Sequence, residues 1–93
     1  MANLRTLKKD IDYLVEEVLG DCYLAIFFHP EKKDQVLAIM QEAVDVRNDL
    51  FERTNNPAEK NNPSLVRKHY AQIRREMFEK IDKLFNNLSA VSK

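Results

Sequence analysis

Residues 63–90, PSLVRKHYAQIRREMFEKIDKLFNNLSA, decide the fold because they carry one uninterrupted helical pattern. Apolar side chains recur every three or four residues, which is the spacing of a single helix face. Their mean spacing is about 3.7 residues, closer to a straight helix than to the 3.5-residue repeat of a coiled coil. The pattern predicts a helix over 63–90, capped by Asn62 and with Pro63 at its first position. The apolar positions are Val66, Tyr70, Ile73, Met77, Ile81, Leu84 and Leu88.

Two earlier segments, 3–28 and 30–54, repeat this spacing and predict two more helices. Pro30 separates them and suits a first helical position, although His29 before it is a poor cap. One glycine in 93 residues leaves little material for β-hairpins, which need residues at positive φ. We therefore predict an all-α fold, a single domain over 1–93 that forms an antiparallel up-down-up bundle of three helices and dimerises.

The run Cys22–Phe28 is apolar on every side and rich in strand formers, and Gly20 just before it could end a helix. A strand needs a partner, and the sequence offers no second strand. We interpret the run as the last turns of the first helix, weakened or bent at Gly20. Either this helix end is buried on all sides, or part of it, with Phe27 and Phe28, faces another subunit.

A second apolar line on the third helix consists of Ala71, Phe78 and Phe85, which are seven residues apart and about 90° from the main stripe. This line allows two interpretations. It could widen the face that points into the core, as is common in globular bundles. Alternatively, Phe78 and Phe85 could form a homodimer interface, most simply a twofold one.

Arg47 is predicted to lie in the middle of the apolar face of the second helix, where a buried arginine needs a partner. Folding the first two helices back about residues 29–30 brings Asp12 level with Arg47, and the third helix brings Tyr70 to the same level. The three residues could form a polar layer that fixes helix register. The alternative is a small-anion pocket or enzyme site built on the same residues.

The net charge is zero, with 15 basic and 15 acidic residues, but it is unevenly divided. Residues 1–56 carry a charge of −4, whereas residues 57–93 carry +4. The basic residues Arg67, Lys68, Arg74 and Arg75 could complement the acidic helices, or they could contact the phosphates of a nucleic acid or a ribosome.

The sequence contains no Cys-x-x-Cys, no His-Glu-x-x-His and no glycine-rich phosphate loop, so we expect no catalytic residues, no metal and no cofactor. The longest apolar run is far below the ~20 residues of a membrane span, and the N-terminus lacks a secretory signal. A single cysteine suggests a reducing compartment, and we expect a cytoplasmic protein without membrane contact. The sequence favours a protein-interaction or scaffold module whose partner is itself or another protein.

Overall fold

The computed structural model describes residues 4–57 and 61–91, apart from the side chain of Leu4. Helix α1 spans Leu4–Phe28, a short 3₁₀ helix spans Pro30–Lys32, α2 spans Lys33–Asn55 and α3 spans Pro63–Val91. No strand occurs in these two ranges, so the all-α prediction is confirmed. The third predicted helix is one residue short of α3, and the predicted start of the first, residue 3, lies outside the described residues.

The start of the second helix differs from the prediction. Pro30 opens a 3₁₀ turn, in which the Lys32 backbone N–H donates to the His29 carbonyl at 2.9 Å, and α2 begins only at Lys33. The side chain of His29 makes no capping hydrogen bond, as its poor cap propensity predicts. Without a side-chain acceptor for the first amides, the tighter 3₁₀ turn forms one of the missing bonds from the backbone.

Helix α1 runs through Gly20 without a break, which confirms the helical interpretation of Cys22–Phe28. Gly20 does not have a positive φ, so its backbone is compatible with any helical residue. At the C-terminal end, the His29 N–H donates to the Ala25 carbonyl at 2.8 Å and closes the last turn.

Asn62 caps α3 as the sequence predicts. Its side-chain oxygen accepts hydrogen bonds from the backbone N–H groups of Ser64 at 3.1 Å and Leu65 at 3.2 Å. These amides belong to the first turn, where no helical carbonyl is available to them. The cap therefore fixes where α3 begins, and a cap of this kind contributes about 1 kcal/mol.

The core runs along the long axis of an elongated molecule that measures 51 × 19 × 17 Å. Each helix supplies one face to it, and the buried positions recur with the three- and four-residue spacing that the sequence predicts. The buried apolar residues are Leu7, Ile11, Val15, Val18, Cys22, Ala25, Val36, Ile39, Ala43, Leu50, Ile73, Met77, Ile81, Leu84 and Leu88. Thr54 is buried among them, and its hydroxyl donates to the Leu50 carbonyl at 2.6 Å, so its polar atom has a partner.

Polar contacts between helices fix which levels of the chain lie side by side. They comprise Arg47 with Asp12 at 2.7 Å, Arg74 with Asp10 at 2.9 Å, Lys80 with Asp49 at 3.4 Å and Arg53 with Glu76. The Lys32 ammonium donates to the Val91 carbonyl at 2.6 Å and thereby ties the turn after α1 to the last turn of α3.

Candidate interaction surface

An open apolar groove lies between α1 and α3, and we call it the α1–α3 groove. At the C-terminal end of α1 it widens into a depression of about 470 Å³ whose apolar lining includes Leu24, Phe28, Phe85 and Leu88. A second depression of about 480 Å³ follows on α3 beside Phe78 and Phe85. A third, of about 220 Å³, is lined by Tyr13, Leu14, Met77 and Phe78. Because neighbouring depressions share Phe78 or Phe85, they form one continuous surface.

Aromatic side chains at and beside this groove are strongly exposed. The exposed fraction is 77% for Phe27, 68% for Phe28 and 55% for Phe78, whereas Phe85 is half-buried against the core. The rings of Phe27 and Phe28 meet edge to face with centroids 5.2 Å apart. Covering a phenylalanine side chain completely is worth about 1.5–3 kcal/mol, so a partner that covers several of them has a strong driving force.

The four residues predicted as an interface therefore have different environments. Phe78 and Phe85 lie on the α3 side of the α1–α3 groove, and Phe28 lies on its α1 side. Phe27 does not line the groove depressions described above and is the most exposed of the four. The sequence prediction did not name Tyr13, which is 63% exposed, and it covered Leu24, which is 57% exposed, only as part of the run Cys22–Phe28. They could have been found from the spacing of Tyr13, Leu24 and Phe28 on the flank of α1 that is adjacent to the core stripe.

Arg47 and Asp12 are joined as predicted, but the pair is not buried. The Arg47 Nε donates to Asp12 Oδ1 at 2.7 Å, and their side chains are 39% and 43% exposed. The guanidinium carbon of Arg47 lies 4.2 Å from the centroid of the Phe51 ring, in cation–π geometry. The prediction that Arg47 is buried in the middle of the apolar face is thus wrong, because its long side chain reaches the edge of the helix pair.

Tyr70 does not join this pair. It packs against the core, and its ring contacts His69 with centroids 5.7 Å apart. Within the described residues no hydrogen bond connects Tyr70 to Asp12 or Arg47, so the predicted three-residue polar layer is reduced to an ion pair. Because Asp12 already neutralises Arg47, an incoming anion would have to compete with a carboxylate for the guanidinium.

A separate basic cluster at the N-terminal end of α1 was not predicted. Arg5, Lys8 and Lys9 line a depression of about 380 Å³ together with Asp12 and Phe51. The Lys8 ammonium lies 5.8 Å from the centroid of the Phe51 ring. The signal in the sequence is the spacing of three and four residues between these cations, which places them on neighbouring faces of one helix turn.

The four basic residues predicted for nucleic-acid contact also have different environments. Arg74 is held by Asp10 at 2.9 Å across the α1–α3 groove and is half-buried. Arg67, Lys68 and Arg75 are exposed, and none of them has an ion pair among the described residues. Arg67 lies on the same side of α3 as Arg74, whereas Lys68 and Arg75 lie about 90° further round the helix, so the four do not form one continuous stripe.

Arg53 and Glu76 form the strongest polar contact between α2 and α3. The guanidinium makes two hydrogen bonds to the two carboxylate oxygens, and the one from Nη1 to Oε1 is 3.0 Å long. The hydrogen bonds from Arg53 lower the pKa of Glu76 to about 2 despite partial desolvation, and the same contact raises the pKa of Arg53. His69 Nε2 donates to the Arg53 carbonyl at 2.6 Å in the last turn of α2.

Glu76 and Cys22 have shifted pKa values that make them poor candidates for acid–base or nucleophilic catalysis at neutral pH. Glu76 loses its proton far below neutral pH, and burial, with a smaller contribution from Asp21, raises the pKa of the Cys22 thiol to about 11. Cys22 is therefore a small apolar core residue rather than a nucleophile. In residues 4–57 and 61–91 no three His, Cys, Asp or Glu side chains are grouped closely enough to hold a metal ion.

Comparisons with known proteins give no further guide to this surface. No helix in the described part of the chain is both long enough and apolar enough to cross a membrane. No known protein family, no curated protein and no solved structure matches this chain.

Proposed function

We propose that the three helices form an antiparallel up-down-up bundle that self-associates and serves as a protein-interaction or scaffold module. The cross-helix contacts support the bundle. Between α1 and α2, residue 12 pairs with 47 and residue 8 with 51, so the numbers rise on one helix as they fall on the other. The pairs 49 with 80 and 53 with 76 follow the same rule between α2 and α3.

The observation that carries the functional proposal is the exposed aromatic lining of the α1–α3 groove. Monomeric proteins seldom expose a large contiguous apolar patch, and such a patch with a polar rim is typical of a protein-binding surface. The whole molecule measures 51 × 19 Å along its two longer axes, so one side of it is comparable in size to the area of about 800 Å² that a standard interface covers on each partner. One side of the molecule is therefore large enough for a specific complex.

We also propose a cytoplasmic location, since the one cysteine of the chain, Cys22, is buried and unpaired. Disulfide-free cysteine of this kind is typical of reducing compartments.

Sedimentation velocity at micromolar concentration tests the proposal. We expect the wild-type chain to dimerise and Phe78→Ser to be monomeric with an unchanged far-UV spectrum, because Phe78 is 55% exposed and contributes little to the monomer's own core. Leu37→Ser is the matched control: it removes a 42% exposed apolar side chain from α2, away from the groove, and should leave the dimer intact. A monomeric wild-type chain, or a Phe78→Ser variant that still dimerises, would contradict the proposal.

A second candidate function, nucleic-acid or ribosome association, is favoured by the exposed and unpaired Arg67, Lys68 and Arg75 in the described part of α3. The affinity of the chain for a nucleic acid should then fall steeply with salt concentration, because binding to phosphates releases counterions. Retention on immobilised RNA at near-physiological salt, lost in the triple variant that replaces these three residues by Gln, would support it. Loss of the retained complex in Phe78→Ser instead would assign the retention to the apolar groove.

A further inference from the structure

The outer face of α3 carries a second regular stripe beside its core stripe. Ala71, Arg75, Phe78, Asp82 and Phe85 follow one another at intervals of four, three, four and three residues. This alternation places them on one side of the helix, within an arc of about 80° at 100° per residue. All but the half-buried Phe85 are exposed. Phe78, Asp82 and Phe85 of this stripe also line the depressions of the α1–α3 groove.

The order of side chains along the stripe is directional. A small residue, Ala71, and a cation, Arg75, precede Phe78, whereas an anion, Asp82, and a large residue, Phe85, follow it. Arg75 has no ion pair among the described residues, and Asp82 accepts a long hydrogen bond of 3.4 Å from the side-chain amide of Asn86. Both charges are thus available to a partner.

We propose that the partner on this face is a second copy of the chain, packed antiparallel about a twofold axis close to Phe78. This inference rests on the proposed function and specifies its geometry. Turning α3 end to end about Phe78 sets Arg75 beside the partner's Asp82 and Ala71 beside the partner's Phe85. Each contact then occurs twice, as twofold symmetry requires, and the two Phe78 rings meet at the centre.

Charge distinguishes this arrangement from the parallel one. In a parallel pair in register, Arg75 would lie beside the partner's Arg75 and Asp82 beside the partner's Asp82, and like charges in direct contact oppose association. The parallel pair would also place the two Phe85 rings together and leave a gap between the two Ala71 side chains. The antiparallel pair matches opposite charges and matches a small side chain with a large one.

Charged residues along the α1–α3 groove follow the same order as those of the α3 stripe, with positive charge towards the start of α3 and negative charge towards its end. At one end, Arg67 is exposed on the side of α3 that carries Arg74, whose own charge is balanced by Asp10. At the other end, Asp21 and Asp82 line the depressions of the groove. An antiparallel second copy brings the basic end of one groove to the acidic end of the other. The charges therefore favour the same direction as the stripe on α3.

Charge reversal and mixing test this geometry. Arg75→Glu and Asp82→Arg should each weaken the dimer about tenfold or more, because each variant alone creates two like-charged contacts. An equimolar mixture of the two variants should recover a dimer of nearly wild-type affinity, since Glu at 75 of one chain then faces Arg at 82 of the other, and the remaining contact is the natural Arg75–Asp82 pair. Sedimentation equilibrium measures the dissociation constants of the wild type, of each variant and of the mixture.

Lys83→Glu makes the same charge change as Arg75→Glu at an exposed position on another side of α3, and it should leave the dimer unchanged. Far-UV spectra and thermal midpoints show whether each variant folds. In an independent readout, mild oxidation of Phe78→Cys should yield a disulfide-linked dimer, whereas Ala38→Cys on the exposed side of α2 should not. The native Cys22 is buried and does not compete.

The outcomes separate this inference from the proposed function. A wild-type dimer that dissociates in Phe78→Ser, but whose charge variants do not complement each other on mixing, overturns the antiparallel geometry and leaves the interaction surface in place. A wild-type chain that stays monomeric overturns self-association altogether. Recovery of the dimer on mixing, with Lys83→Glu unaffected, is the result that we expect.

Discussion

Glu76 is the residue whose ionisation should control the acid stability of the fold. Its pKa in the folded chain is lowered from 4.5 to about 2 by the hydrogen bonds from Arg53. A carboxyl group with a lowered folded pKa stabilises the fold above its unfolded pKa, and this stabilisation is lost as the carboxylate is protonated. The free energy of unfolding should therefore fall as the pH drops from about 4.5 to about 2.

Glu76→Gln should remove most of this pH dependence and should lower stability at neutral pH, because Arg53 then loses its charged partner. Urea unfolding at a series of pH values measures both effects. Glu79→Gln makes the same chemical change on the exposed side of α3 and serves as the control. An acid limb that is identical in wild type and Glu76→Gln would show that another carboxyl group is responsible.

The Arg47 pair shows what residue-level prediction from this sequence can and cannot supply. Folding the helices back at residues 29–30 correctly predicted that Asp12 lies level with Arg47. The position of a residue along the bundle axis does not determine how deeply its side chain is buried, however. A long arginine side chain can extend from a buried backbone position to the surface. Tyr70 lies on the core stripe of α3 and packs there instead of reaching Arg47, which a shared axial level could not reveal.

At the scale of elements, Gly20 is the weakest position of α1. A Cβ atom built on Gly20 would meet no other atom within 4 Å, and the backbone is helical without a positive φ. Gly20→Ala should therefore stabilise the protein by about 0.5–1 kcal/mol, because alanine loses less backbone entropy on entering a helix. For a domain of this size, that corresponds to a rise of about 2–8 °C in the thermal midpoint.

Differential scanning calorimetry of the two proteins tests this prediction at one protein concentration, so that any dimerisation affects both samples alike. Gly20→Pro should shift the thermal midpoint in the opposite direction. Proline inside α1 removes a backbone hydrogen bond and should lower the free energy of unfolding by about 3 kcal/mol or more. A lower midpoint for Gly20→Ala would mean that a partner or a neighbouring copy approaches the exposed backbone at this position.

Helix boundaries were predictable where a side chain specifies them and less so elsewhere. Asn62 is a strong cap followed by proline, and α3 begins where these two residues predict. The residues after His29 lack such a cap, so local backbone bonding decides between a 3₁₀ and an α-helical turn, and periodicity alone cannot resolve that choice. The run Cys22–Phe28 was assigned correctly because the rest of the chain contained no strand to pair with it.

At the scale of the whole molecule, ion pairs within the chain balance only part of the opposite charges of residues 1–56 and 57–93. Asp10 with Arg74 and Asp49 with Lys80 join the acidic part to the basic part, whereas Arg53 with Glu76 has the opposite polarity. Arg67, Lys68 and Arg75 keep their charges exposed and have no ion pair within the described residues. Such charges are available for intermolecular contacts, which agrees with the charge pattern of the proposed dimer.

The dimer should therefore weaken with salt, but only moderately. Raising NaCl from about 0.05 to about 0.5 M shortens the screening length to a few ångströms and removes most of the attraction between Arg75 and the partner's Asp82. Two exposed pairs at about 0.2–1 kcal/mol each correspond to a dissociation constant about 2 to 30 times higher. The contacts of Phe78 and Phe85 are apolar and persist, so the dimer should remain detectable by sedimentation equilibrium. The dissociation constant of the mixed Arg75→Glu and Asp82→Arg dimer should rise with NaCl as much as that of the wild type. If NaCl strengthened both the wild-type dimer and the mixed dimer, the charges would not determine how the two chains pair.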